Sequence, residues 1–193
     1  MILQTALPKL IFTWLFLFAT ASAGADDIAS VSVTHDSKLA FFDTMAEVLP
    51  GSWEGQYADG SFDNPTSEWR PARISYHLTA GGTAIVEDYF GQDESVVGMT
   101  TVYHQDNNDI RATHFCGAMN HPRMISRAFD PESKTISFGF VDVSNLKSPE
   151  DYHSRDLDLT IVDDDNIRLT FFGLTDGKRN SRVFAFSRKK EQG

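Results

Sequence analysis

The chain has 193 residues, with 17 basic and 27 acidic side chains and a formal net charge of −10 at pH 7. That length suits one domain, and the acidity argues against nucleic acid and anionic membrane surfaces as partners. A single cysteine, Cys116, excludes an internal disulfide, so stability must come from a core, for which 15 Phe, 5 Tyr and 3 Trp supply the material.

The first element in chain order is an export signal. Lys9 precedes an almost wholly apolar run from Leu10 to Phe18, and small residues follow, ending in Ala21-Ser22-Ala23. The run is shorter than the roughly 20 residues an ordinary membrane span needs. Residues 1–23 therefore read as a cleavable signal peptide, which predicts a periplasmic or secreted protein with no membrane span after its removal. An uncleaved N-terminal anchor is the competing reading. Residues 24–35 are small and polar and read as a flexible lead-in to a domain covering 36–193. Asp36 or Ser37 can cap a helix. Leu39, Phe42, Met45, Val48 and Leu49 then recur at helical spacing until Pro50-Gly51 stops it.

From Ser52 onward the texture is that of short alternating runs separated by turn residues. Strands are predicted near 52–58, 69–79, 83–90, 96–104, 109–117, 123–129, 134–141, 152–162, 166–173 and 180–189. Explicit turns separate several of them: Ala80-Gly81-Gly82, Gln105 to Asn108, Asp130-Pro131-Glu132-Ser133, Asp163 to Asp165 and Thr175-Asp176-Gly177-Lys178. A meander of about ten strands is too long to stay flat with open edges. The predicted fold is thus all-β: a single antiparallel up-and-down barrel with the N-terminal helix capping one end. Segment 142–151 is the longest break, and a short helical turn over the barrel mouth is expected there.

Side chains of a barrel strand alternate between lumen and exterior. In 109–117, Ile110, Ala112, His114 and Cys116 share the less charged face, which is assigned inward. Glu87 lies on the Ile85/Tyr89 face of its strand. In 152–162, His153 and Arg155 share a face with Leu157 and Leu159 and are assigned inward. Strand 123–129 carries Arg123 on one of two mixed faces, while His77 is expected outside. The candidate ligand-binding residues are Glu87, His114, Cys116, Arg123, His153 and Arg155, with Arg123 expected to neutralise an anionic head group. Buried ionisable groups need partners, water or a guest, so this lumen predicts a cavity for a small, partly apolar molecule. A rigid internal network, for instance Glu87 with Arg123 or Arg155, is the competing account.

Gly51-Ser52-Trp53-Glu54-Gly55 resembles the G-x-W-x-G opening of lipocalin-like and nitrobindin-like barrels. Thr79 to Glu87, Met99 to His104, Thr113 to Cys116 and Asn120 to Met124, in that order, resemble a bacterial family of exported lipocalin-like proteins of unknown function. The resemblance covers about residues 48–188 and implies the barrel but no reaction. Two positions depart from it: His121 stands where the family tends to carry Gln, and Arg155 where it tends to carry a second His. Nitrobindin holds haem through one histidine, but its ligating segment has no residue-by-residue match here.

Three chemistries remain open beside plain binding. His114 and Cys116, two apart on one strand, could join His121 or His153 around a metal, although the spacing matches no recognised closed site. Cys116 could be a nucleophile activated by His114 or His153, although no oxyanion-hole signature accompanies it. His114 with Glu87 could do acid–base work. The sequence assigns no cofactor, no catalytic residue and no oligomeric state.

Overall fold

The structure, a computed structural model, describes residues 25–91 and 95–190, with side chains from Ser37 onward. The proposed signal segment 1–23 lies outside the described residues. Residues 25–49 contain neither Gly nor Pro, and the backbone forms one helix, α1 (Ala25–Val48). The helix therefore begins well before Asp36, and residues 25–35 are helical rather than an irregular lead-in.

Ten strands follow: β1 (Gly51–Asp59), β2 (Arg70–Thr79), β3 (Ala84–Phe90), β4 (Val97–Asp106), β5 (Asp109–Phe115), β6 (His121–Asp130), β7 (Thr135–Ser144), β8 (His153–Asp163), β9 (Asn166–Thr175) and β10 (Lys178–Arg188). Each pairs antiparallel with the next, and β1 pairs with β10, so the sheet closes on itself and leaves no edge. The hairpins use the turn chemistry the sequence announces. Asn107 and Gly177 both adopt the left-handed conformation a tight turn requires. The closing seam depends on one glycine. Gly55 lies opposite Phe186, and a Cβ there would sit 2.0 Å from the Ala185 carbonyl oxygen.

Helix α1 plugs one end. Phe41, Phe42, Met45 and Leu49 are buried, with the Phe41 ring 4.7 Å from that of Phe129. Lys38 Nζ lies 2.8 Å from Asp109 Oδ1 and donates to the Ser126 carbonyl at 3.3 Å. Beneath the helix the lumen is filled by buried Trp53, Ile85, Tyr103, Ile110, Phe138, Leu159 and Ile167. Trp53 Nε1 donates to the Leu49 carbonyl at 2.8 Å. The Arg188 guanidinium lies 4.3 Å over the Trp53 ring and donates to the carbonyls of Val48 and Pro50. A cation thus satisfies carbonyls at the helix C-terminus, where the helix dipole is negative.

The 142–151 segment forms no helix: β7 continues to Ser144, and a turn with Asp151 N–H donating to the Ser148 carbonyl follows. It lies at the end opposite α1, where Asn145 Nδ2 donates to the Met119 carbonyl. Among the described residues, no helix is long and apolar enough to cross a membrane.

Candidate functional site

At the end opposite α1 the barrel is hollow. A half-enclosed cavity of about 260 Å³ is walled by Ile74, Leu169, Phe171, Phe184 and Phe186. Its polar lining comes from Glu87, His114, Cys116, Ser154 and Arg182. Tyr89, Met99, Gly117, Ala118 and Tyr152 complete it. The strands place these groups together because their late or early ends converge there: β3, β5 and β9 finish at this rim, while β2, β4, β8 and β10 start from it.

Glu87 and His114 belong to one buried chain of hydrogen bonds. Glu87 is 3% exposed. Its Oε2 accepts from the hydroxyls of Tyr76 at 2.7 Å and Tyr103 at 3.0 Å, and its Oε1 accepts from Thr101 Oγ1 at 3.2 Å. Burial holds the Glu87 carboxyl above its ordinary value, against the opposing pull of the three hydroxyl donors. The Thr101 hydroxyl has one proton, which it gives to Glu87. It must then accept from His114 Nδ1, 2.9 Å away. This fixes the imidazole tautomer, with the proton on Nδ1 and a bare lone pair on Nε2, for which no described residue provides a partner. Burial lowers the His114 pKa to about 4, so the ring is neutral at pH 7. Its face packs on Phe171, with ring centroids 5.2 Å apart. Cys116 is half-buried, its thiol pushed up by burial and its Sγ accepting from the Ala118 N–H at 3.4 Å.

Three of the six predicted residues, Glu87, His114 and Cys116, line this cavity. The other three do not. Arg123 points outward and is 51% exposed, paired to Asp142 at 2.5 Å. Pro122, Met124 and Ser126 take the inner face of β6 instead, so Arg123 is no head-group partner for a guest in the lumen. On β8 a bulge between Ser154 and Asp156 inserts one residue. This reverses the alternation upstream of Leu157. Ser154, not His153 or Arg155, therefore faces the cavity. His153 is buried in the seam where β7 and β8 part, its ring against Phe140 and its Nδ1 3.0 Å from the Asp151 carbonyl. Arg155 stacks 4.0 Å over Phe140. The expected arginine partner for Glu87 is likewise replaced by hydroxyls. His77 is exposed, as alternation predicts.

Arg182 is a charged cavity residue that strand patterning leaves unassigned. Arg182, Phe184 and Phe186 occupy alternate positions on β10, and that shared spacing with two inward aromatics is the signal that places it. Asp59, directly opposite on β1, accepts from Arg182 Nε at 2.8 Å and from Arg70 Nη2 at 3.0 Å. Burial would raise the Asp59 carboxyl, but the two guanidinium groups hold it below its ordinary value. Among the described residues, no three His, Cys, Asp or Glu side chains gather into a metal site. His121, a proposed third ligand, packs on Phe115, and Phe115 is exposed.

Fold and site together define a closed ten-stranded antiparallel barrel, helix-plugged at one end and hollow at the other. It is similar to the crystal structure of Rv2717c from Mycobacterium tuberculosis, with a TM-score of 0.52 and 12% identity over 77% of this chain and 98% of that one. A protein of unknown function from the DUF3598 family of Nostoc punctiforme aligns at 0.43 and 10% identity, over 75% of this chain and 49% of that one. A redesigned beta barrel aligns at 0.36 and 11% identity, over 75% and 95%. These likenesses concern the fold alone. The sequence matches no family model and no curated protein.

Proposed function

We propose that this protein is an exported carrier that takes a small, partly apolar molecule into the open end of its barrel. The observation that carries the proposal is the cavity itself. Aromatic and aliphatic side chains form most of its wall, while the bare His114 Nε2, Ser154 and Arg182 supply a few fixed polar contacts. That combination is the usual make-up of a small-molecule site. Export rests on the signal-like residues 1–23 and on the resemblance of Thr79 to Glu87, Met99 to His104, Thr113 to Cys116 and Asn120 to Met124 to an exported lipocalin-like family.

Two measurements test this reading. Native mass spectrometry of the protein, expressed with its full N-terminus and recovered from the cell envelope, should show a mature chain beginning near Gly24 with a bound small molecule. Titration with 1-anilinonaphthalene-8-sulfonate should give saturable fluorescence that Cys116→Phe, which fills the cavity, abolishes without unfolding the barrel. Equal dye binding by the filled variant would overturn the reading.

One observation favours a second reading, an enzyme using the same cavity. A neutral imidazole that lines a pocket, with no partner for its Nε2 among the described residues, is the state a general base requires. His114→Ala separates the two: a carrier loses binding modestly, whereas an enzyme loses turnover while still binding. The same nitrogen is the atom a haem or metal would take. A visible absorption band or stoichiometric metal in the protein as purified would move the assignment there.

A further inference from the structure

We infer that the guest is a monoanionic amphiphile, such as a medium-chain carboxylate, whose charged head is held at the barrel mouth by Arg182 and Arg70. This deepens the carrier reading and rests on it. Two guanidinium groups at the rim share one carboxylate, Asp59, so within this trio one positive charge is uncompensated, on a chain whose net charge is −10. Arg182 is 45% exposed and uses Nε and Nη2 on Asp59; no described residue accepts from its Nη1. A guanidinium has five N–H donors in a fixed fork suited to a carboxylate, so Arg182 can hold Asp59 and still receive a second anion.

Both arginines are pre-positioned. Tyr57 lies under the two, 4.5 Å from Arg70 and 5.3 Å from Arg182. Arg182 and Phe184 line both the cavity and the adjoining cleft that contains Arg70. A head group there leaves its tail directed inward over Phe184, Phe171 and Leu169. The one carboxylate in the cavity wall, Glu87, is occupied by three hydroxyls. The cavity, of about 260 Å³ and open at the rim, can receive a flexible chain of octanoate size while its head group stays at the mouth.

The test is calorimetric titration of the mature protein with octanoate and, separately, with 1-octanol. The wild type should bind octanoate about tenfold more tightly than the alcohol, and raised salt should erode that preference. Arg182→Gln should remove the preference while leaving octanol binding intact, and Arg182→Lys should retain part of it. Asp59→Asn frees the second guanidinium valence and should strengthen octanoate binding several-fold without affecting octanol, a gain that misfolding cannot produce. Equal affinity for both ligands in the wild type, or a preference unchanged in Arg182→Gln and Asp59→Asn, would overturn the inference and leave the carrier reading standing. Binding of neither ligand would overturn the inference, and dye binding then decides whether the carrier reading fails with it.

Discussion

Thr101→Val probes the buried chain at its narrowest point. Valine keeps the shape of threonine, so no void opens, but it removes the hydroxyl that donates to Glu87 Oε1 and accepts from His114 Nδ1. Glu87 Oε2 keeps both tyrosines, whereas Oε1 loses the one donor it has among the described residues. A buried group stripped of its partner costs about 1–3 kcal/mol. The imidazole escapes the same penalty by moving its proton to Nε2, where the cavity can accept it. The expected loss is therefore about 2 kcal/mol, read as a fall in thermal midpoint of roughly 4–8 °C for a domain of this size. Two-bond ¹H–¹⁵N correlation of the histidine rings at pH 7 reports the tautomer directly: Nδ1–H in the wild type, Nε2–H in the variant. An unchanged tautomer with unchanged stability would refute the assignment of Thr101 as the bridge.

Other consequences follow from the same structure. His114 has a folded pKa of about 4 against an ordinary 6.5, so below pH 6.5 the unfolded chain takes up a proton that the folded chain refuses. Stability from this group is lost as pH falls from 6.5 to about 4, by about 3 kcal/mol at most. Glu87, whose folded pKa is raised, works the other way in acid, so the measure is the difference between wild type and His114→Gln in urea midpoints across that window. Identical slopes would contradict the neutral, buried imidazole. Gly55→Ala forces a methyl onto the Ala185 carbonyl at the closing seam and should destabilise the barrel by about 3 kcal/mol or more; a shift in urea midpoint near zero would show that the seam yields. Arg188→Met removes the cation over Trp53 and the donors to the helix-end carbonyls. It should cost about 2 kcal/mol in urea unfolding, and an unchanged midpoint would mean that water caps the helix as well.

Most of the barrel was legible because its strands alternate cleanly and its turns are written in Gly, Asn and Asp. The β5 pattern of Ile110, Ala112, His114 and Cys116 alone placed two cavity residues correctly. The errors have local causes. The β8 bulge shifts the inward face by one residue, and no composition signal marks it, so simple alternation assigns His153 and Arg155 the place that Ser154 holds. On β6 both faces mix apolar and polar residues, and which one turns inward is decided by pairing with β5 and β7, which is not a local property. The partners of Glu87 come from β2 and β4, strands whose tyrosines and threonine read as ordinary sheet residues until the register brings them around one carboxylate. Arg182 carried a usable signal in its shared spacing with Phe184 and Phe186, though its pairing with Asp59 appears only once β1 and β10 close the barrel.

On the carrier proposal, the polar-rimmed hollow receives a guest while the helix-plugged half stays packed. Methyl and histidine-ring chemical shifts recorded during an octanoate titration test it most directly. Saturable shifts confined to Met99, Leu169 and the His114 ring, with Met45, Ile85 and Leu159 unmoved, are the predicted result; shifts centred on the helix end, or spread over the outer surface, would contradict it.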